Sequence, residues 1–440
     1  MVTEKYNTAK VSIFDQDVGA LAENSTTGVV SFEYFPAWLR NGFAISQQLP
    51  LQSGIFSFPN LGFPTYKGLP AAFADTLPDD FGNAVINAWL ARQGRSSPSF
   101  SALERLLYTG SRGMGALEYT PALTTNIKNS SDLIVMDSLV SMAQSVLDQR
   151  NNIHEDITDS DGTEQALSSI VQVGTSAGGA RAKAVISVNR ERTQIRSGQV
   201  DCPKDFEHFL IKFDGVVERS SISEVFGDPK GFGLMEYAYY LMAQEAGITI
   251  SHCELLRENG RAHFMTKRFD RNRNKKVHYQ SLCAMDHADF KKPGSYSYEE
   301  LFSLIRAMRL DRMAALEIFR RMAFNVIARN HDDHSKNWGF ILNEQRRWEL
   351  APAFDLAYSY KPGSPWVDSH QLSINGKRNN FVREDLLGAV PQSLRKDAVK
   401  ILNEVSAAVR QWRKIATHEG VEASFIDEIE MNHRLYITNE

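Results

Sequence analysis

The sequence predicts an α+β protein with two lobes, a mixed α/β N-terminal lobe and a mostly α-helical C-terminal lobe. Three observations carry this prediction. Short strand-like runs recur in the earlier part of the 440-residue chain, whereas helical spacing dominates from about residue 297 onward. Apolar residues make up 42% of the chain, enough to bury a sizeable core. A polar, acidic stretch at 150–165 indicates a linker.

We expect four segments along the chain. Residues 1–125 are rich in Phe, Gly and Pro and predict an N-terminal α/β subdomain. Residues 126–165 contain a helix and the polar linker, 166–278 a strand-rich lobe and 279–440 a helical lobe. The glycine-rich run 110–115 precedes a strand instead of opening a helix, so it indicates a turn rather than a phosphate-binding loop.

Composition excludes several classes of protein. The net charge of −4 is not that of a stand-alone nucleic-acid binder, whose domain is usually basic. No apolar run approaches the roughly 20 residues of a membrane-spanning helix, and the N-terminus shows no signal peptide. The three widely spaced cysteines, Cys202, Cys253 and Cys283, fit buried thiols in a reducing compartment. We therefore expect a cytoplasmic protein without a membrane partner.

Strand and helix patterns alternate after the linker. A loop of small residues, 174–183, lies between two strand-like runs. The run 208–213 indicates a buried strand that carries one lysine. A helix follows over about 233–245 and ends near Gly247, which suits a C-terminal glycine cap. Residues 262–269 predict a further strand.

The most informative stretch is the polar run from Asn330 to Asn337, in which Asp332 and Asn337 form the pattern Asp-x-x-x-x-Asn. Apolar residues at helical spacing over 316–327 predict a buried helix that leads into it. Two strand-like runs around a short turn then return the chain to Asp355. Such a hairpin would bring all three side chains to one end of the motif.

These three side chains have the chemistry that phosphoryl transfer requires. A base accepts the proton of the acceptor hydroxyl, and two groups hold the metal that bridges the phosphates. Mg²⁺ prefers hard oxygen ligands and keeps several waters, so one amide and one carboxylate suffice beside phosphates. Two alternatives remain, a polar loop of helix-capping residues and zinc held by His331 and His334, which lacks further ligands nearby. The pattern favours a kinase.

Two further features fit nucleotide binding, and each has a plainer alternative. Small residues in the loop 174–183 let N–H groups approach phosphate, and Arg181 and Lys183 at its exit favour an anion. The alternative is a flexible hairpin. Lys212 must be paired or reach solvent, and a strand lysine paired with a helix glutamate, here Glu236, orients phosphates in protein kinases. The alternative is a surface lysine on an edge strand.

The run from Lys267 to Lys276 is strongly basic. Six of its ten residues are Lys or Arg, and it lies between strand-like segments. We interpret it as a solvated hairpin, with contact to nucleic acid or an acidic partner as the alternative.

Taken together, several segments resemble the HipA family, the kinase toxins of bacterial toxin–antitoxin pairs. The segments are 174–183, 267–271, 330–337 and 350–355, with 73–80 and 113–117 in the N-terminal part. The resemblance spans nearly the whole chain. It implies an atypical two-lobed serine/threonine protein kinase that uses ATP and Mg²⁺, with an ATP-binding N-lobe at 166–278 and a catalytic C-lobe at 279–440.

The resemblance also implies roles for individual residues. Asp332 would accept the hydroxyl proton, and Asn337 and Asp355 would bind Mg²⁺. Ser176 matches the position that family members autophosphorylate, an event that expels the loop and stops ATP binding. Nucleotide contacts are implied for Gly178, Gly179, Ala180, Arg181, Ala182, Lys183, Lys212, Lys267, Arg268, Phe269, His334, Ser335, Lys336, Asn337, Phe354 and Asp355.

The family also implies partners. These are a small helix-turn-helix antitoxin of the HipB kind, operator DNA through that antitoxin, and a protein substrate, for which aminoacyl-tRNA synthetases are one known class. Two other functions stay open, a small-molecule phosphotransferase and a non-catalytic nucleotide-binding co-repressor. The presence of Asp332, Asn337, Asp355 and Lys212 argues against the co-repressor, because a binding module needs no base.

Overall fold

The computed structural model describes residues 6–92, 100–123, 133–149, 181–217, 227–228 and 230–438. Contacts divide the chain into two compact units. The first comprises Met1–Lys230 with Leu256–His278, and the second comprises Gly231–Leu255 with Tyr279–Glu440. Sheets and helices occur in both, so the predicted α+β class is confirmed.

The first unit begins with an antiparallel sheet whose strand order is β4-β3-β2-β1-β5. Exposed and buried residues alternate along β1, and Val11 and Ile13 are fully buried, as expected for a strand with one face on a core. The glycine-rich turn predicted at 110–115 leads directly into β5. The strands are β1 Thr8–Ile13, β2 Gln16–Glu23, β3 Val30–Tyr34, β4 Ile55–Phe56 and β5 Leu117–Thr120.

Helices accompany this sheet and follow local sequence signals. Pro36 lies in the first turn of α1, where its missing N–H costs nothing. Ser101 and Glu104 form a reciprocal capping box at the start of α5. The helices are α1 Pro36–Asn41, α2 Phe63–Tyr66, α3 Ala71–Ala74, α4 Asp80–Arg92, α5 Ala102–Thr109 and α6 Met136–Gln149.

A second sheet in the first unit has the order β11-β12-β8-β6-β7. Every residue of β6 is buried, including the polar Lys183, Ser187 and Asn189. Helix α6 packs on this sheet, with Leu139 and Ala143 in one core with Ile186 and Phe209. The strands are β6 Lys183–Asn189, β7 Ile195–Ser197, β8 Phe206–Lys212, β11 Cys253–Glu258 and β12 Arg261–Lys267.

Two short hairpins complete the strands of this unit. The first pairs β9, Val216–Val217, with β10, Gly227–Asp228. The second pairs β13, Arg271–Asn272, with β14, Lys275–Lys276, so the basic run does form a hairpin.

The second unit is mostly helical and has one large core. Helix α10 carries Phe319, Ala323 and Val326, all with 0% exposure, as its apolar spacing predicted. The chain leaves α7 through Gly247, whose φ of +74° favours glycine. The helices are α7 Phe232–Glu245, α8 Leu282–Met285, α9 Tyr298–Ala307, α10 Arg312–Ile327, α11 Arg383–Gly388, α12 Arg395–Val409, α13 Trp412–Glu419 and α14 Ala423–Asn432.

A small sheet stands beside these helices, with the order β15-β16-β17. Its strands are β15 His278–Ser281, β16 Gly339–Leu342 and β17 Trp348–Leu350. Gly339 is required at its position because a Cβ there would lie 2.2 Å from the Tyr279 ring. The hairpin β16–β17 is the one that the sequence predicted before Asp355.

All three cysteines are buried free thiols, as predicted. Among the described residues, no helix combines the length and the apolar character that a membrane-spanning segment needs.

Burial of His278 predicts a pH-dependent stability. Its ring hydrogen-bonds to the Ile45 carbonyl at 2.8 Å, and burial lowers its pKa from 6.5 to about 4. The unfolded chain takes up a proton near pH 6.5 whereas the folded protein does not. The contribution of the buried, neutral His278 to the free energy of unfolding is therefore complete above pH 6.5. About 3 kcal/mol of it is lost as the pH falls toward 4. Urea unfolding across this range should show the loss.

The test variant is His278→Gln, in which the free energy of unfolding should depend less on pH between 6.5 and 4. The control variant is His418→Gln. The His418 side chain is 83% exposed, so His418→Gln is the surface control for the loss of an imidazole. A His278→Gln profile parallel to that of the wild type would contradict the assignment.

Candidate active site

Helix α10 delivers the chain to the predicted catalytic loop, residues 330–337. Arg329 turns the chain out of the helix with a φ of +58°, a conformation that residues other than glycine seldom adopt. Asn330 then donates from its backbone N–H and from its side-chain Nδ2 to Asn325, both at 2.9 Å. The loop therefore starts from a fixed point on a buried helix.

Asp332 is partly exposed, with 41% of its side chain accessible. Its carboxylate Oδ1 lies 3.6 Å from His334 Nε2. Asn337 Nδ2 donates to the Asp332 carbonyl at 2.8 Å, and the buried Ser335 hydroxyl donates to the Ala288 carbonyl. The backbone is thus held while the Asp332 carboxylate is accessible, which suits a proton acceptor.

The hairpin β16–β17 relates Asn337 to Asp355. Its register pairs Phe340 with Leu350, and the Ala351 N–H donates to the Gly339 carbonyl at 2.9 Å. Asn337 precedes β16 and Asp355 follows β17, so both belong to the chain at the open end of the hairpin. Asp355 has a φ of +56°, and such strained backbone clusters at functional sites.

The side-chain oxygens of Asn337 and Asp355 are of the kind that a hard cation such as Mg²⁺ prefers as ligands. Asn337 uses Nδ2 as a donor, which leaves its Oδ1 to act as a ligand, and Asp355 offers carboxylate oxygens. Zinc fits less well. The Nδ1 of the buried His331 is bonded to the Val367 carbonyl at 3.1 Å. Within the described ranges, no group of three or more His, Cys, Asp and Glu side chains could hold a metal.

Asp333 is a site residue that sequence reasoning missed. Its side chain is fully buried, and it accepts hydrogen bonds from the Tyr298 hydroxyl at 2.8 Å, His370 Nδ1 at 2.9 Å and the Gln371 N–H at 2.7 Å. These partners lie 35 to 38 positions away along the chain. The available signal was the Asp332-Asp333 pair itself, since adjacent side chains in an extended loop point in opposite directions.

The other residues predicted in the second unit lie near aromatic rings. The His334 ring is 5.6 Å from that of Phe290, and Lys336 Nζ is 5.2 Å from the same ring. Phe354 packs edge-on against Tyr279, with ring centroids 6.4 Å apart.

In the first unit, two lysines predicted to contact phosphate lie opposite each other. The register of β6 and β8 pairs Lys183 with Lys212, and both are buried. Strand β8 is central, so the edge-strand alternative for Lys212 is wrong. Lys212 Nζ lies 5.9 Å from the centre of the Phe264 ring. Like charges placed opposite each other repel, so the pair favours a nearby anion.

Lys183 also has a protein partner within the first unit. Its Nζ lies 3.1 Å from Asp79 Oδ2, and both side chains are nearly inaccessible. Burial raises the pKa of Asp79 from its ordinary value, and the charge of Lys183 opposes that rise. Lys183 therefore has a structural role beside the predicted phosphate contact. Glu236 is a buried residue of the second unit, so its ion pair with Lys212 stays a prediction.

The basic run contains an internal ion cluster. Buried Arg268 donates to both carboxylate oxygens of Asp270, at 2.9 and 2.7 Å, and Arg271 donates to Asp270 Oδ2 at 2.8 Å. The Gly115 N–H also donates to Asp270, at 2.8 Å. Although burial acts to raise it, the two guanidinium groups hold the pKa of Asp270 well below its ordinary value. The solvated-hairpin interpretation is therefore wrong for both arginines.

The other residues with implied nucleotide contacts, at 267–269, which would lie at the hinge that binds adenine, and in the loop that ends at Lys183, are only partly described. Lys267 bonds to Glu207, and Phe269 is half-buried. Arg181 and Ala182 lie just before β6, where the Ala182 carbonyl accepts the Phe213 N–H at 3.1 Å. Ser176, Gly178, Gly179 and Ala180 lie outside the described residues.

Two family models match the chain. The model of the HipA-like C-terminal domain covers residues 175–412, which is more than half of the sequence, and that of the HipA N-terminal domain covers residues 9–120. The chain belongs to the HipA family. The resemblance inferred from the motifs is confirmed, and it extends to the N-terminal part.

Two known proteins that are similar to this chain are consistent with the family assignment. The Sinorhizobium fredii protein Y4mE, which carries a provisional kinase name, is 23% identical over 348 residues, 75% of this chain and 72% of its own length. HipA of Shewanella oneidensis MR-1, solved with HipB and operator DNA, has a TM-score of 0.65 at 15% identity. The match covers 96% of this chain and 95% of that one, and it shows a shared fold.

Proposed function

We propose that this HipA-family protein is an ATP-dependent protein kinase that phosphorylates serine or threonine. The observation that carries the proposal is the anchored loop 330–337, which presents Asp332 and ends beside the hairpin that returns Asp355. Family membership and the kinase name of one relative support this proposal.

The proposed roles follow from the chemistry of each side chain. Asp332 takes the proton of the acceptor hydroxyl as the new phosphate bond forms. Asn337 and Asp355 would hold Mg²⁺, which would neutralise charge on the phosphates. Further nucleotide contacts are proposed for Lys212, for residues 178–183 and for the adenine hinge at 267–269, and also for residues 334–336 and Phe354.

We also propose the family's partners and self-control for this chain. HipB and operator DNA accompany the Shewanella HipA, and we propose an antitoxin of the same helix-turn-helix kind here. The substrate is a cellular protein, with aminoacyl-tRNA synthetases as one candidate class. Autophosphorylation of Ser176 would add about −1.5 to −2 charges to the phosphate-binding loop and so repel ATP.

Labelled ATP separates this function from its alternatives. The protein is incubated with the γ-labelled nucleotide, alone and with a cell lysate, and the products are separated by size and mapped by mass spectrometry. Label on a lysate protein supports the kinase, and label on Ser176 supports self-control. Label confined to small molecules would indicate a small-molecule phosphotransferase, and no transfer would indicate a nucleotide-binding module.

Removal of the proposed carboxylate ligand should weaken metal-dependent binding. Asp355→Ala should reduce nucleotide affinity in Mg²⁺ by at least about tenfold, equivalent to about 1.4 kcal/mol. Affinity measured in EDTA should stay near that of the wild type, because the lost contact acts through the metal. A fluorescent-nucleotide titration with and without Mg²⁺ measures both values. Glu349→Gln, an exposed carboxylate on β17, is the matched control. Equal losses in both buffers would contradict the ligand role.

A further inference from the structure

The Asp333 carboxylate is a fixed point of the catalytic loop. Besides the three donors given above, the Leu372 N–H approaches Asp333 Oδ1 at 3.4 Å. The donors come from α9 and from residues 370–372, two separate parts of the second unit. Asp333 is also tied through its backbone, since Trp338 Nε1 donates to its carbonyl at 3.3 Å. The loop cannot shift at Asp333 without leaving a buried charge unpaired.

His370 connects Asp333 to a second charged group. It has 0% exposure, and its Nε2 lies 2.9 Å from Arg434 Nη1. A guanidinium group has only donors, so Nε2 must be the acceptor and carries no proton. The ring proton therefore lies on Nδ1, from which it is donated to Asp333. The imidazole is neutral and has both nitrogens engaged.

Arg434 links this ring to the end of α10. Its backbone N–H donates to the Ile327 carbonyl at 2.9 Å, and Nη1 lies 3.4 Å from the Val326 carbonyl. Nη2 donates to Asn379 Oδ1, and the residue is only 1% exposed. The buried positive charge of Arg434 and the buried negative charge of Asp333 thus lie on opposite sides of one neutral ring and compensate each other.

We propose that Asp333, His370 and Arg434 are positioning residues that hold the catalytic loop so that Asp332 and Asn337 keep their working orientation. None of the three needs to contact substrate. The three side chains, here called the Asp333–His370–Arg434 relay, join the loop to the segment that follows α14. The Asp-x-x-x-x-Asn pattern gives no reason to connect that segment with catalysis. Its effect on turnover rests on the proposed kinase function, whereas its effect on loop order does not.

Two variants and one control test the relay. Arg434→Met removes the charge and keeps the length of the side chain, and Tyr298→Phe removes a single donor to Asp333. Arg413→Met is the control, because Arg413 is an exposed arginine paired with Asp427 and Glu430. Tyr298→Phe leaves both buried charges in place, so it serves if Arg434→Met fails to fold.

Three quantities are measured on each protein: backbone amide exchange over 331–338, kcat for ATP turnover, and KM for ATP. Arg434→Met and Tyr298→Phe should each lower kcat by about ten- to a hundredfold, a larger factor than any rise in KM, because misplaced groups lose turnover more than binding. Exchange over 331–338 should rise by at least about tenfold, while α12 stays protected as in the wild type. Arg413→Met should match the wild type in all three.

Unchanged exchange over 331–338 in the relay variants would overturn the proposal, and so would an equal increase throughout the second unit, which marks a purely structural role. If the wild-type protein transfers no phosphate, the kinase function fails. The exchange measurement then still decides whether the relay holds the loop.

Discussion

Asp332→Asn should lower phosphoryl transfer by about 10²- to 10⁴-fold, because it removes the acceptor of the hydroxyl proton at the moment of transfer. Nucleotide affinity should change little, since the side chain contributes no phosphate contact in the proposed site. The amide has nearly the same shape as the carboxylate, and the parent side chain is already 41% exposed, so folding should be retained. A single-turnover assay with labelled ATP measures the transfer rate, and a titration measures affinity.

Asp17→Asn is the control for this loss of charge, because Asp17 is an exposed carboxylate, 54% accessible, on β2 of the first unit. It should transfer phosphate at the wild-type rate. An Asp332→Asn protein that keeps wild-type turnover would remove the assigned base and with it the main support for the kinase mechanism.

Asp270→Ala should lower the free energy of unfolding by about 3–5 kcal/mol, the usual cost of removing one partner of a buried ionic cluster. The substitution leaves Arg268 and Arg271 with uncompensated charge in an inaccessible site and takes the acceptor from the Gly115 N–H. Burial already lowers the pKa of Arg271 to about 10, which shows how costly its charge is there. Urea denaturation of the purified protein measures the loss.

Asp17→Ala is the counterpart on the surface. Its ion pair with Lys10 is about half exposed on both sides, so its removal should cost no more than about 1 kcal/mol. If Asp270→Ala proved as mild as Asp17→Ala, the cluster would not be an important link between the turn before β5 and the strand-rich part that follows.

Local patterns predicted the elements that carry the candidate site. The apolar spacing over 316–327 predicted α10, and the two apolar runs around a polar turn predicted the hairpin β16–β17. Both patterns depend on residues a few positions apart, so the periods of helix and strand are visible in the sequence. The same locality underlies the prediction that Asp332, Asn337 and Asp355 lie close together.

The direction of individual polar side chains was not predictable in this way. The basic run gave no sign that Arg268 and Arg271 enclose Asp270, because the enclosing backbone at Gly115 lies 155 positions away. The sequence left open whether Lys212 is a surface lysine. The sheet order decides this, because it places β8 between β12 and β6. In each case the deciding quantity is burial, which depends on what packs on a residue rather than on its neighbours in sequence.

The sequence by itself determined the family, the α+β class and the loop in which a base and the first metal ligand are proposed, with the hairpin that leads to the second, because these depend on motifs and short-range periodicity. Only the tertiary structure decided which of two adjacent aspartates faces outward. Asp333 is turned inward by donors from α9 and from residues 370–372, and Arg434 compensates its charge across His370. A buried carboxylate needs such partners, and only folding brings residues so distant in sequence within hydrogen-bonding distance of it.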